Sequence, residues 1–286
     1  MKNFSSIRFF ISTVAIVAGL SILSCKKPAN NPATGGSGDA NVVTGIAADA
    51  QNRPLAGIKV RAENPTGDNI HVDATTGTDG RYKMKLSSIG GWKIYAWKEV
   101  EYKGKAYHLR LAMKSDADYD AFATDGKSVI KDFVWKLNGR IPDRPASAEN
   151  GSGYFGASLR IVNYNDVVPV ILAGTKVTVT LTPIEGATYL DGSPAKAVVV
   201  KTFTVQNGNA NYYFYDVPAT EYRITAKSEL NNVFRKVYVG ANSSSDLLDW
   251  VEFYFDPAAS SAGSYESGLK SPNDFPFYLA QGTERA

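Results

Sequence analysis

One cysteine, Cys25, and two histidines, His71 and His108, are all the thiol and imidazole that 286 residues contain. Zinc sites draw three or four Cys, His or carboxylate ligands together, and covalent catalysis needs a nucleophile beside a base. His71 and His108 fall in separate strands or turns by pattern, and no Gly-x-Ser-x-Gly elbow occurs. This composition points to a non-catalytic protein without a cofactor. "DADYDAFATDGK" places Asp116, Asp118 and Asp120 at alternate positions, as oxygen ligands stand in a calcium loop. Such a loop also carries Gly at its sixth position and Glu at its twelfth, where this chain has Ala121 and Lys127. The three aspartates are weak metal candidates, and a solvated turn has the same spacing.

The aromatics offer a different chemistry, stacking on sugar rings. Trp92 lies an odd number of steps from Tyr95 and from Trp97, so a strand turns Trp92 to one face and the other two to the opposite face. Only one of these sets can be wholly core. "NYYFYD" divides Tyr213 and Tyr215 from Tyr212 and Phe214 in the same way. Trp92, Tyr95, Trp97, Tyr213 and Tyr215 are therefore the candidate ligand-binding residues. The alternative is that the outer aromatics are covered by another part of the chain, because an exposed apolar patch normally has a partner.

Short alternating runs must position these residues. In "TKVTVTLTP", Val177, Val179 and Leu181 point one way and the threonines the other, the period of a half-buried strand. Similar runs recur from Val42–Ala48 to Trp250–Phe255, separated by Asp79-Gly80, Asp125-Gly126, Asp191-Gly192 and Asn207-Gly208 turns. No helical period lasts a dozen residues after the first segment. The pattern predicts an all-β chain of two sandwich domains, residues 41–137 and 154–256. They flank a Pro, Gly, Asn and Ser-rich linker, 138–153, and precede a flexible tail, 257–286, in which "FPFYLA" is apolar enough to dock on a sheet edge.

The first 24 residues read as an export signal: Lys2 and Arg8, an uncharged run from Phe9 to Leu23, and Ser24 before the cut. The run is shorter than the roughly 20 apolar residues of a membrane span and is broken by Ser12, Thr13, Gly19 and Ser21. Ile22, Leu23, Ser24 and Cys25 resemble the lipobox of bacterial lipoproteins. That resemblance implies a lipid on Cys25, which becomes the N-terminus and holds the chain to a membrane. Lys26, in the place of a retention aspartate, implies the outer membrane of a Gram-negative cell. Residues 25–40 continue as a Pro, Asn, Gly and Ser-rich tether. Removal of Lys2 and Arg8 from the 31 basic residues leaves 29 against 28 acidic ones, a net charge of about +1. Such a balance has no basic field for nucleic acid.

"VTGIAADAQNRPLAGIKVRAEN", "ATTGTDGRYKMKL" and "GWKIYAWKE" together resemble the carboxypeptidase regulatory-like domain, a seven-stranded transthyretin-like sandwich. In this pattern Gly45 starts the first strand, and Pro54 to Gly57 turn the chain so that Ile58 and Val60 enter the core. The family's peptidases carry the metal motif on a separate catalytic domain, and neither His71 nor His108 begins a His-x-x-Glu. "YDVPATEYRITAK" looks like a turn and strand of prealbumin-like and Ig-like sandwiches, with Ala219-Thr220 in place of Pro-Gly. The expectation is a non-catalytic, lipid-anchored envelope protein that binds or scaffolds. One form of it is a carbohydrate-binding protein of a glycan-uptake system. Another is a structural or adhesive protein pairing through sheet edges with an envelope protein.

Overall fold

The computed structural model describes residues 39–145, 153–167, 169–241, 247–255 and 276–284. Cys25, the expected export signal and the expected tether up to residue 38 lie outside them. The chain is all-β, as its alternation predicts. In order the strands are β1 (Val42–Ala48), β2 (Lys59–Glu63), β3 (His71–Thr75), β4 (Arg81–Lys85), β5 (Lys93–Tyr102), β6 (Lys105–Arg110), β7 (Ala112–Met113), β8 (Val129–Ile130) and β9 (Phe133–Val134). There follow β10 (Ala157–Asn163), β11 (Lys176–Pro183), β12 (Val199–Thr204), β13 (Ala210–Val217), β14 (Glu221–Leu230), β15 (Val233–Gly240), β16 (Val251–Tyr254) and β17 (Pro276–Glu284).

Strands β1 to β9 form two sheets. One has the order β4-β1-β9-β7, with β8 also on β1, and the other the order β3-β2-β5-β6. Each turns one period-2 face inward: Val43 and Ala47 with Tyr82 and Met84 from the first, Val60, Ala62, Ile94, Ala96, Tyr107 and Leu109 from the second. Gly45 of β1 is required within the first sheet. A Cβ there would lie 1.8 Å from the Lys131 carbonyl oxygen and 2.8 Å from the Tyr82 ring, whose hydroxyl donates to that same oxygen.

The third sheet has the order β12-β11-β14-β15-β17-β10-β13, with β16 on the first half of β14. The apolar patch expected to dock from a flexible tail is instead strand β17, between β10 and β15 in the interior of this sheet. Phe277 and Leu279 are fully buried, and pairing on both sides leaves β17 no free backbone edge over the paired residues. The segment expected as a linker is also tied down where it is described. Phe155 donates its N–H to Gly139, Ile141 donates to Gly153, and the Ile141 side chain is fully buried. The buried apolar residues of all three sheets form one contiguous cluster, with Trp135, Ile141 and Phe155 between the earlier and later strands.

Candidate functional site

Strand β5 settles which aromatic set is core. Trp92, 1% exposed, closes the inner face with Ile94 and Ala96, and its indole N–H donates to the Ser87 carbonyl. Tyr95 and Trp97 lie on the outer face of the β3-β2-β5-β6 sheet. Pairing registers carry that face across three strands: Thr75 and Lys59 align with Trp97, and Asp73 and Arg61 with Tyr95.

Around Trp97 the face is open and polar. Arg61 Nε and Nη2 donate to the two oxygens of Asp73, each at 2.7 Å, and the guanidinium carbon lies 5.9 Å from the centre of the Trp97 ring. This bidentate pair holds a planar cation against the indole. The hydrogen bond from Arg61 keeps the Asp73 carboxyl below its ordinary pKa, against a smaller opposing effect of burial. Beside the half-buried Trp97 is a hollow of about 190 Å³ lined by Lys59, Asp73, Ala74 and Thr75. An indole with an ammonium, a carboxylate and a hydroxyl around one small hollow can stack on an apolar ring face and hydrogen-bond hydroxyls at its rim.

Tyr95 is enclosed. The Arg110 guanidinium, 5.2 Å from the Tyr95 ring centre and 5.3 Å from that of Tyr119, pairs with Asp143 at 3.1 Å. Arg110 is itself 3% exposed, and burial pushes the Tyr95 phenol pKa up. Of the candidate ligand-binding residues Trp92, Tyr95 and Trp97, Trp92 is thus committed to the core and Tyr95 to the Arg110–Asp143 pair, leaving Trp97.

Tyr213 and Tyr215 belong to the third sheet. Their rings are parallel within 9° with centres 6.1 Å apart, and Tyr154 extends the stack at 5.6 Å from Tyr215. The Arg140 guanidinium sits 5.4 Å over Tyr154. Their neighbours turn the other way, Phe214 into the core and Tyr212 onto Phe203 at 3.8 Å. Sequence periodicity separated these two sets correctly but did not reveal Tyr154 or Arg140, which join through a β-bridge between residues 140 and 154.

Asp116 and Asp118 begin a single 3-10 turn, Asp116–Tyr119. Asp118 Oδ1 accepts from the Lys131 ammonium at 3.0 Å, which supplies its counter-charge without a metal. Among the described residues no three His, Cys, Asp or Glu side chains are grouped to hold a metal ion. His71 faces Asp73 at 3.8 Å and His108 faces Glu99 at 3.6 Å, in different strands. Also among the described residues, no helix is long and apolar enough to cross a membrane. Arg61 and Asp73 were missed by sequence reading because their partnership depends on the β2–β3 register, which the weakly apolar β3 does not announce.

No protein-family model and no curated protein matches the chain. Among solved structures it is similar to the Bacillus anthracis TIE protein, with 9% identity and a TM-score of 0.32 over 85% of this chain and 34% of that one. The chain therefore spans about a third of that protein. A streptococcal ancillary pilin is matched at 11% identity and a TM-score of 0.25, over 85% of this chain and 62% of the pilin. A DUF3823 family protein from Bacteroides uniformis is matched at 9% identity and a TM-score of 0.21, over 75% of this chain and 99% of that one.

Proposed function

We propose that this chain is a non-catalytic, exported binding protein of the cell envelope, held to the outer membrane by a lipid on Cys25, with a neutral polysaccharide as its ligand. The observation that carries the ligand reading is Trp97, part-buried beside a polar hollow and braced by the Arg61–Asp73 pair. A pyranose ring has an apolar face for the indole and equatorial hydroxyls for Lys59, Asp73 and Thr75. Cationic Lys59 and Arg61 with anionic Asp73 and Glu63 on this face leave no net field to select a charged polymer. The export signal, the lipobox-like residues Ile22 to Cys25 and the polar tether support the anchor.

Affinity electrophoresis of the chain from Lys26 onward, through gels carrying a panel of neutral polysaccharides, tests the ligand. Retardation by one polymer, weakened at least tenfold in Trp97→Ala, is the expected result. Unretarded migration in every gel, or retardation unaffected by Trp97→Ala, removes the assignment. Membrane fractionation of Cys25→Ala, expected to leave the membrane pellet, tests the anchor separately.

A further inference from the structure

A cavity of about 400 Å³ opens in the third sheet, between the loop through Pro169 and Leu172 and the β14–β15 hairpin. It falls in the size range of small-molecule sites. Val170, Leu172, Leu230 and Val233 give it an aliphatic part, beside Thr175, Asn231 and Arg235. At its mouth Leu172 is 60% exposed and Val233 41%, so an apolar occupant would remove both from water.

The polar part of the lining is built, not incidental. Ser228, 3% exposed, takes a hydrogen bond from Gln281 Nε2 at 3.0 Å and donates its own to the Arg235 carbonyl at 3.4 Å. Gln281 Nε2 also reaches the Lys236 carbonyl at 3.4 Å. A carbonyl only accepts, so this contact fixes which end of the amide is NH₂. Both amide hydrogens are then used within the protein, and Oε1 is left as an acceptor on a residue that lines the cavity. The backbone holds the geometry. Gln281 N–H donates to the Pro169 carbonyl at 2.7 Å, tying the loop to β17. The β15–β17 register slips just beyond Gln281, where a Cβ on Gly282 would lie 2.5 Å from the Lys236 carbonyl. Only glycine fits this irregularity, and such slips re-aim neighbouring side chains.

We propose that this cavity binds a small molecule with an apolar body and one hydroxyl or amide N–H. The body lies against Leu172, Leu230 and Val233, and the donor meets Gln281 Oε1. A molecule with only acceptors would leave that oxygen unpaired, at the cost of its desolvation. This site is separate from the Trp97 face and does not depend on it.

Saturation-transfer NMR on the chain from Lys26 onward tests the proposal with cyclohexanol as probe at millimolar concentration and cyclohexanone, the same shape without a donor, as its control. Saturation of cyclohexanol at least fivefold above cyclohexanone is expected. Leu172→Asp, at an exposed position that leaves folding intact, should abolish it. Gln281→Met, with the fold verified by circular dichroism, should reduce cyclohexanol to the level of cyclohexanone. No transfer to cyclohexanol, equal transfer to both probes, or transfer unchanged in Leu172→Asp overturns the proposal. Trp97→Ala should leave all of these signals unchanged, so failure here and failure of the polysaccharide reading are told apart.

Discussion

Arg61 and Asp73 face each other across β2 and β3 with both guanidinium–carboxylate hydrogen bonds at 2.7 Å. Because Arg61 also lies against Trp97, protonating Asp73 should be visible in tryptophan emission. The folded-state pKa of Asp73 is lowered, first by the Arg61 hydrogen bond. Its stabilising contribution is therefore present above the unfolded value of about 3.9 and is lost as pH falls through the folded value. Emission should be flat from pH 7 to about 5 and change below about 4. The change should vanish in Asp73→Asn and in Trp97→Phe. An acid transition that survives unaltered in both variants would mean that it reports another tryptophan.

Trp92 and Trp97, five residues apart, should behave oppositely. Trp92 is sealed in the core, and its truncation to Ala should cost about 3–5 kcal/mol through transfer and cavity effects. Trp97→Ala removes a part-buried ring and should cost less, about 1–2 kcal/mol. It should nevertheless weaken polysaccharide retardation tenfold or more, equal to about 1.4 kcal/mol of binding. Urea unfolding alongside affinity electrophoresis separates the two effects. Comparable losses of stability in both variants would contradict the burial difference.

Most strands could be read from the sequence because their apolar residues alternate strongly, as Val177, Val179 and Leu181 do. The strand β3, "HVDAT", escaped because its inward residues are only Val72 and Ala74, both part-buried, among polar neighbours. Pro276–Glu284 escaped for a different reason. Its hydrophobicity was visible, but its place in the interior of the third sheet depends on pairing with β10 and β15, more than 35 residues away in sequence. The aromatic site shows the same limit. Period 2 put Tyr95 and Trp97 on one face, yet nothing local said that Arg110 and Asp143 would cover the first and leave the second.

Gly45 was expected to open the first strand; it lies instead in the middle of β1, and the structure gives a different reason for it. With the Lys131 carbonyl oxygen 1.8 Å from where a Cβ would stand, Gly45→Ala must push β1 from the chain that follows β8 or displace Tyr82. Overpacking of this kind costs about 1–3 kcal/mol or more. The loss should appear as a lower urea midpoint with an unchanged slope. A variant as stable as the parent would show that the approach of residue 131 to β1 is wider than described.

Asp216 joins the segment between the two sequence-predicted domains to strand β13. Its Oδ1 and Oδ2 accept from the Gly139 N–H at 2.7 and 2.8 Å, and Oδ1 accepts from Gly156 N–H at 3.1 Å. The residue is half-buried with φ of 62°, a left-handed conformation that Asp and Asn tolerate better than Ala. Burial raises its carboxyl pKa despite the two N–H donors, so charge is not the source of the stabilisation. The hydrogen bonds and the backbone conformation can be separated by choice of residue. Asp216→Asn keeps the conformation and one acceptor, and should cost less than about 1 kcal/mol. Asp216→Gly keeps only the conformation and leaves the Gly139 and Gly156 N–H groups unsatisfied, costing about 1–3 kcal/mol. Asp216→Ala adds the left-handed strain, roughly 1–2 kcal/mol more. Urea unfolding of the three variants should give that order, Asn above Gly above Ala. Equal stability of the Asn and Gly variants would show that the carboxylate hydrogen bonds do not hold this joint.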